Sequence, residues 1–133
     1  LFNEFRAQNN PHDSTEYKTF FSGYNSNIDL DRKTALQFAD QIEKLSLKKN
    51  DLFFLADALF KKGVIYYFEN KYDSSNFFNL KALKASAESK NYRIQMKSTN
   101  LLGAVCYNKG DLVSAEKYYL EKAKIAKELK DTA

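Results

Sequence analysis

A lone histidine, a lone cysteine and scattered carboxylates are all that this 133-residue chain offers to covalent or acid–base chemistry. His12 follows Pro11 in a polar stretch and reads as a solvated loop residue. Cys106 falls one turn after Gly103 on the apolar side of a helical pattern, where a small inert core thiol is expected. No HExxH, CxxC or GxSxG pattern and no phosphate-cradling glycine loop occurs. The expectation is no catalytic residue, no metal ligand and no cofactor.

A second group of side chains suits non-covalent recognition. Phe53, Phe60, Val64 and Tyr67 are spaced by seven, four and three residues, which places them on one helix face. A separate stripe of Leu52, Leu55, Leu59 and Tyr66 supplies the expected core of the same helix. A helix apolar nearly all round is either buried on every side or offers one face to a ligand. Both readings stand here: packing between neighbouring units, or Phe60, Val64 and Tyr67 as an apolar floor for a peptide. Lys97, Asn100, Ala104, Tyr107 and Asn108 take corresponding places further along. Their amides can hydrogen-bond a peptide backbone, and Lys97 could take a carboxylate.

The elements that must position these residues recur. Gly23, Gly63 and Gly103 lie 40 residues apart, and Phe38, Phe78 and Tyr118 keep the same interval. So do Ala35, Ser75 and Ala115, the polar residues Asp51, Asn91 and Asp131, and Lys44, Lys84 and Lys124. Such a period means one supersecondary unit copied along the chain, each copy burying its apolar face on its neighbours. Within one copy, Asp51 opens a helix that ends near Asn70, whose counterpart is Gly110; both tolerate a left-handed C-cap. A second helix starts near Tyr72. The predicted helices are about 14–27, 31–48, 52–68, 72–89, 92–108 and 112–130, with Asp13 and Glu16 as a capping box for the first. Interior glycine is disfavoured by ~1 kcal/mol against alanine, so the recurrent glycines imply close approach of a partner helix, with Ala35, Ser75 and Ala115 opposite.

Composition agrees with one folded, all-α domain over residues 1–133: 44% hydrophobic, 29% charged, one proline and four glycines. A single cysteine excludes an intramolecular disulfide and is compatible with a reducing compartment, which favours the cytoplasm and leaves an extracytoplasmic sensor domain open. The net charge of +4 comes from lysines interspersed with acids, so no nucleic-acid contact is expected. No apolar run approaches the ~18–20 residues of a membrane span, so no membrane insertion is expected either.

The segments LFKKGVIYYFENKYDSS and NLLGAVCYNKGDLVSAEKYYLEKA resemble tetratricopeptide repeats. Leu102 and Gly103 match the family's Leu-Gly pair, Gly110 and Asp111 its turn, and Ala115, Tyr118 and Tyr119 its second helix. Repeats at about 14–50, 51–90 and 91–130 follow. The period of 40 departs from the usual 34, the frequent proline after the second helix is missing, and Ser22-Gly23 replaces Leu-Gly in the first copy. The longer period is similar to that of repeats in bacterial sensor and regulatory proteins. The resemblance implies a right-handed superhelix of three antiparallel helix pairs whose first helices line a concave groove. It also implies a protein- or peptide-recognition module of a larger signalling or transcription-regulatory protein, with a scaffold or self-association spacer as the alternative. Likeness to the carboxylate clamp of chaperone-binding members is partial, because Phe60 and Val64 stand where polar residues are needed.

The chain reads as a piece of a longer protein. On its last helix Leu112, Ala115, Tyr119, Ala123 and Ala126 are the expected core stripe. Tyr118, Ile125 and Leu129 are the expected outer line, exposed or covered by a second copy of the chain.

Overall fold

The computed structural model describes residues 13–132; Pro11 and His12 lie outside them. After a short 3-10 turn at Thr15–Tyr17 come six helices: α1 (Lys18–Asn27), α2 (Arg32–Lys48), α3 (Leu52–Phe68), α4 (Tyr72–Ser89), α5 (Tyr92–Asn108) and α6 (Leu112–Thr132). There is no strand among the described residues, and each helix packs on the next in the chain.

One local device closes four of the five turns. Asn50, Asn70, Lys90 and Gly110 all have positive φ, at 52°, 60°, 57° and 82°. In each case the following N–H reaches back to a carbonyl in the last helical turn: Asp51 to Ser46, Lys71 to Tyr66, Asn91 to Ser86 and Asp111 to Cys106, all within 2.8–2.9 Å. This left-handed closure satisfies carbonyls that the helix end leaves orphaned. The very next residue starts the following helix. Asp51, Asn91 and Asp111 accept from the backbone N–H three residues on, at 3.1–3.2 Å. Lys71, in the same position before α4, supplies no cap. The turn before α2 differs: Asp31 N–H bonds the Asn27 carbonyl at 2.7 Å, while the Asp31 side chain caps Thr34.

The start of α1 corrects the expected capping box. Asp13 accepts from the N–H and hydroxyl of Thr15, closing the 3-10 turn, and Glu16 pairs with Lys49 at 2.8 Å. The α-helix itself begins only at Lys18.

Helix α3 contributes to three buried clusters. Phe54 and Ala58 pack with Tyr17 and Ile42, Ile65 with Tyr24, Ala35 and Ala39, and Ala56 and Leu59 with Ala82, Ala85 and Ile94. Packing on α1, α2, α4 and α5 is therefore why α3 is apolar nearly all round. The expected stripe is found with Leu59 buried, Leu52 and Leu55 partly buried, and Tyr66 stacked on Phe78 at 5.5 Å. Phe54, Ala58 and Ile65 form a further buried stripe. Lys62 is also buried, and its ammonium is held by Asp40 at 2.5 Å and Glu43 at 2.8 Å on α2.

The recurrent glycines do sit at close approaches. A Cβ on Gly23 would fall 2.4 Å from the Phe38 ring, on Gly63 2.5 Å from Asn79 Oδ1, and on Gly103 2.8 Å from the Tyr119 ring. The obstructing groups belong to residues 38, 79 and 119, not to the small residues expected opposite. Of those, Ser75 still reaches its glycine by donating to the Gly63 carbonyl at 2.8 Å.

On α6 the expected core and outer lines are corrected. Ala115 and Ile125 are buried and Tyr118 and Leu129 half-buried, whereas Leu112, Tyr119 and Ala123 are exposed. Residues 115, 118, 122, 125 and 129 make one heptad-like stripe. From this stripe Tyr118 lies against Gly103 and Lys122 donates to Asn100, both on α5, the partner of α6. The outer face instead shows Val113 at 69% and Leu120 at 64% exposure.

Candidate functional site

Besides its sequence neighbours α2 and α4, α3 lies against α5, and Phe60, Tyr67, Lys97 and Asn108 meet along this seam. Toward one end of it is Asp57, only 4% exposed. A carboxylate so buried needs a counter-charge, and Lys61, one helical turn on, provides it. The Lys61 ammonium in turn lies 4.8 Å from the ring centroid of Phe21 and 5.1 Å from that of Tyr24, both on α1. Rings at this distance attract a cation through their negative faces. The Tyr24 hydroxyl donates to the Lys61 carbonyl at 3.3 Å. Burial first, then the charge of Asp57, pushes that hydroxyl far above the ordinary tyrosine value.

From α5, Arg93 places a guanidinium nitrogen 3.8 Å from the second Asp57 oxygen while its side chain stays 62% exposed. One turn on, Lys97 holds its ammonium 6.0 Å from the Phe60 ring centroid. Partial desolvation, then the like charge of Arg93, holds Lys97 below the ordinary lysine value, with Asp57 acting in the opposite sense. Three cations thus gather around one acid.

At the other end of the seam, Asn108 Nδ2 donates to the Tyr67 hydroxyl at 2.9 Å and lies 3.4 Å from that of Tyr72 on α4. Tyr107 beside it is 61% exposed. A cavity of about 430 Å³ opens there, lined by Asn70, Lys71, Tyr72, Asp73, Ser74 and Lys109. The structure therefore joins Phe60 to Lys97 and Tyr67 to Asn108 across the two helices. Phe60, Val64 and Tyr67 are half-buried. Asn100 is not joined to them: its Oδ1 accepts from Lys122 of α6 at 3.0 Å, which turns it away from the seam.

Asp57, Lys61 and Arg93 were not among the sequence candidates. For Asp57 and Lys61 the signal was an i, i+4 acid–base pair inside a largely apolar helix, which only a specific environment tolerates. Cys106 is half-buried, and burial, then Asp111, pushes its thiol up, away from the thiolate form that reacts. Among the described residues no three His, Cys, Asp or Glu side chains group as a metal site. No helix of the described residues is long and apolar enough to cross a membrane.

Comparison of the chain with family models, with curated proteins and with solved structures gave no match.

Proposed function

We propose that this chain is a non-catalytic protein- or peptide-recognition module of tetratricopeptide type. In this reading residues 14–50, 51–90 and 91–130 are three repeats stacked as a right-handed superhelix. Helices α1, α3 and α5 line its concave side, and the module serves a larger, bacterial signalling or transcription-regulatory protein. The 40-residue recurrence supports the repeat reading, as do left-handed turn residues at 50, 70, 90 and 110. The observation that carries recognition is the α3–α5 seam, where half-buried Phe60 and Tyr67 meet Lys97 and Asn108 beside exposed Tyr107. Aromatic rings provide contact area that a partner can desolvate, and amides fix a backbone.

Capture of partners with the chain as bait tests this. Tyr107→Ala should lose the partner with helix content unchanged. Loss of stability together with unchanged capture would overturn it.

A scaffold or self-association role is the second reading, and the outer face of α6 favours it through Val113 and Leu120. Exposed apolar residues in line on one helix suit a second copy or a further helix.

A further inference from the structure

Two charged clusters among the described residues are closed. Lys62 is satisfied by Asp40 and Glu43, and Lys49 by Glu16. The cluster on the α3–α5 seam is open. Asp57 is already paired with Lys61, so Arg93 shares a carboxylate whose charge is largely taken, at 3.8 Å and in solvent. Lys97 has no ion-pair partner among the described residues, and its ammonium lies 6.0 Å from the Phe60 ring centroid.

We propose that Arg93 and Lys97, with Asp57 as resident counter-ion, receive side-chain carboxylates of an acidic peptide segment laid along the α3–α5 seam. This rests on the recognition reading of that seam and assigns the chemistry of its partner. Lys61, Arg93 and Lys97 against Asp57 leave an excess of positive charge, so charge complementarity selects an acidic occupant. Spacing selects side chains over a chain terminus. Four helical residues advance ~6 Å, and alternate residues of an extended peptide advance ~6.8 Å. Two carboxylates on one face of a strand therefore match the two cations. Phe60 lies under Lys97, where an apolar residue of the same peptide would be desolvated. Arg93, planar and exposed, can turn from Asp57 to a bidentate contact without disturbing the buried Asp57–Lys61 pair.

The test is fluorescence anisotropy of the whole chain with a dye-labelled, end-capped peptide alternating Glu and Ala, at low ionic strength. Arg93→Gln and Lys97→Gln should each weaken binding about tenfold, as loss of a charge-assisted contact implies. Lys84→Gln removes the same charge from exposed α4 surface and should leave binding unchanged. Melting temperatures of all three should match the parent. No binding, an equal loss in Lys84→Gln, or binding only by a peptide with a free C-terminal carboxylate would each overturn the assignment. If instead a non-acidic peptide binds through Tyr107 while the Glu peptide does not, the recognition face stands and its acidic partner falls.

Discussion

Ser75 Oγ donates to the carbonyl of Gly63 at 2.8 Å, and Asn79 Nδ2 donates to the same Ser75 oxygen at 3.2 Å, all three residues being buried. This chain of contacts fixes the distance between α3 and α4 at the point where Gly63 has no side chain.

Gly63→Ala should therefore destabilise by ~1–3 kcal/mol, because Asn79 is packed and cannot retreat. Gly103→Ala should cost less than Gly63→Ala: the exposed Tyr119 ring can swing and alanine gains up to ~1 kcal/mol in a helix, against a 3.2 Å approach of the new Cβ to Tyr118 Cβ. Gly103→Leu should lose ~1–3 kcal/mol, since its further atoms must fit where a Cβ already crowds Tyr119 and Tyr118. Denaturant midpoints measure all three.

The turns offer two gains. Lys71 stands at an N-cap with φ −92° and ψ 73° but accepts no backbone N–H. Lys71→Asn should add ~1 kcal/mol, at the expense only of an exposed pair with Glu69. Lys90, at φ 57°, should give ~0.5–1 kcal/mol on replacement by glycine. Thermal unfolding of the two variants would report both.

Stability should fall at both extremes of pH. The side-chain hydroxyls and backbone N–H groups of Thr34 and Ser114 hold Asp31 and Asp111 below their ordinary value of 3.8. Their contribution is present above that value and lost as pH falls through the folded one. Burial opposes the charge of Lys62, but Asp40 and Glu43 more than offset it and raise the group above 10.5. Its contribution is complete below that value and lost as pH rises through the folded one. Asp111→Asn keeps a capping oxygen and should flatten part of the acid limb, while Lys62→Met should flatten part of the alkaline limb. Urea midpoints across pH test both signs.

If α6 self-associates, Val113 and Leu120 are its contact, not Tyr118, Ile125 and Leu129. Leu120→Glu should then abolish a concentration-dependent dimer in sedimentation without lowering helix content, whereas Ile125→Glu should unfold the last helix.

Helix ends were legible because a few side chains determine them. Asp51, Asn91, Asn70 and Gly110 perform at the helix ends what their types imply. The face of α6 was not legible, since its apolar residues form two lines and only contact with α5 distinguishes them. The seam was legible in part. Aromatic spacing on α3 found Phe60 and Tyr67, but hydrogen-bond direction decides the role of Asn100, and sequence spacing is silent on that. Asp57 and Lys61 were not picked out because a charged pair on a helix usually faces water; here α1 and α5 lie against it.

Calorimetric titration with a peptide selected from a random displayed library measures the central claim most directly. Tyr107 is 61% exposed, so Tyr107→Ala should leave the melting temperature in place. The account predicts that this variant weakens the selected peptide by ~1–3 kcal/mol. Unchanged affinity in Tyr107→Ala, with the peptide instead mapping to the α2 and α4 faces, would contradict it.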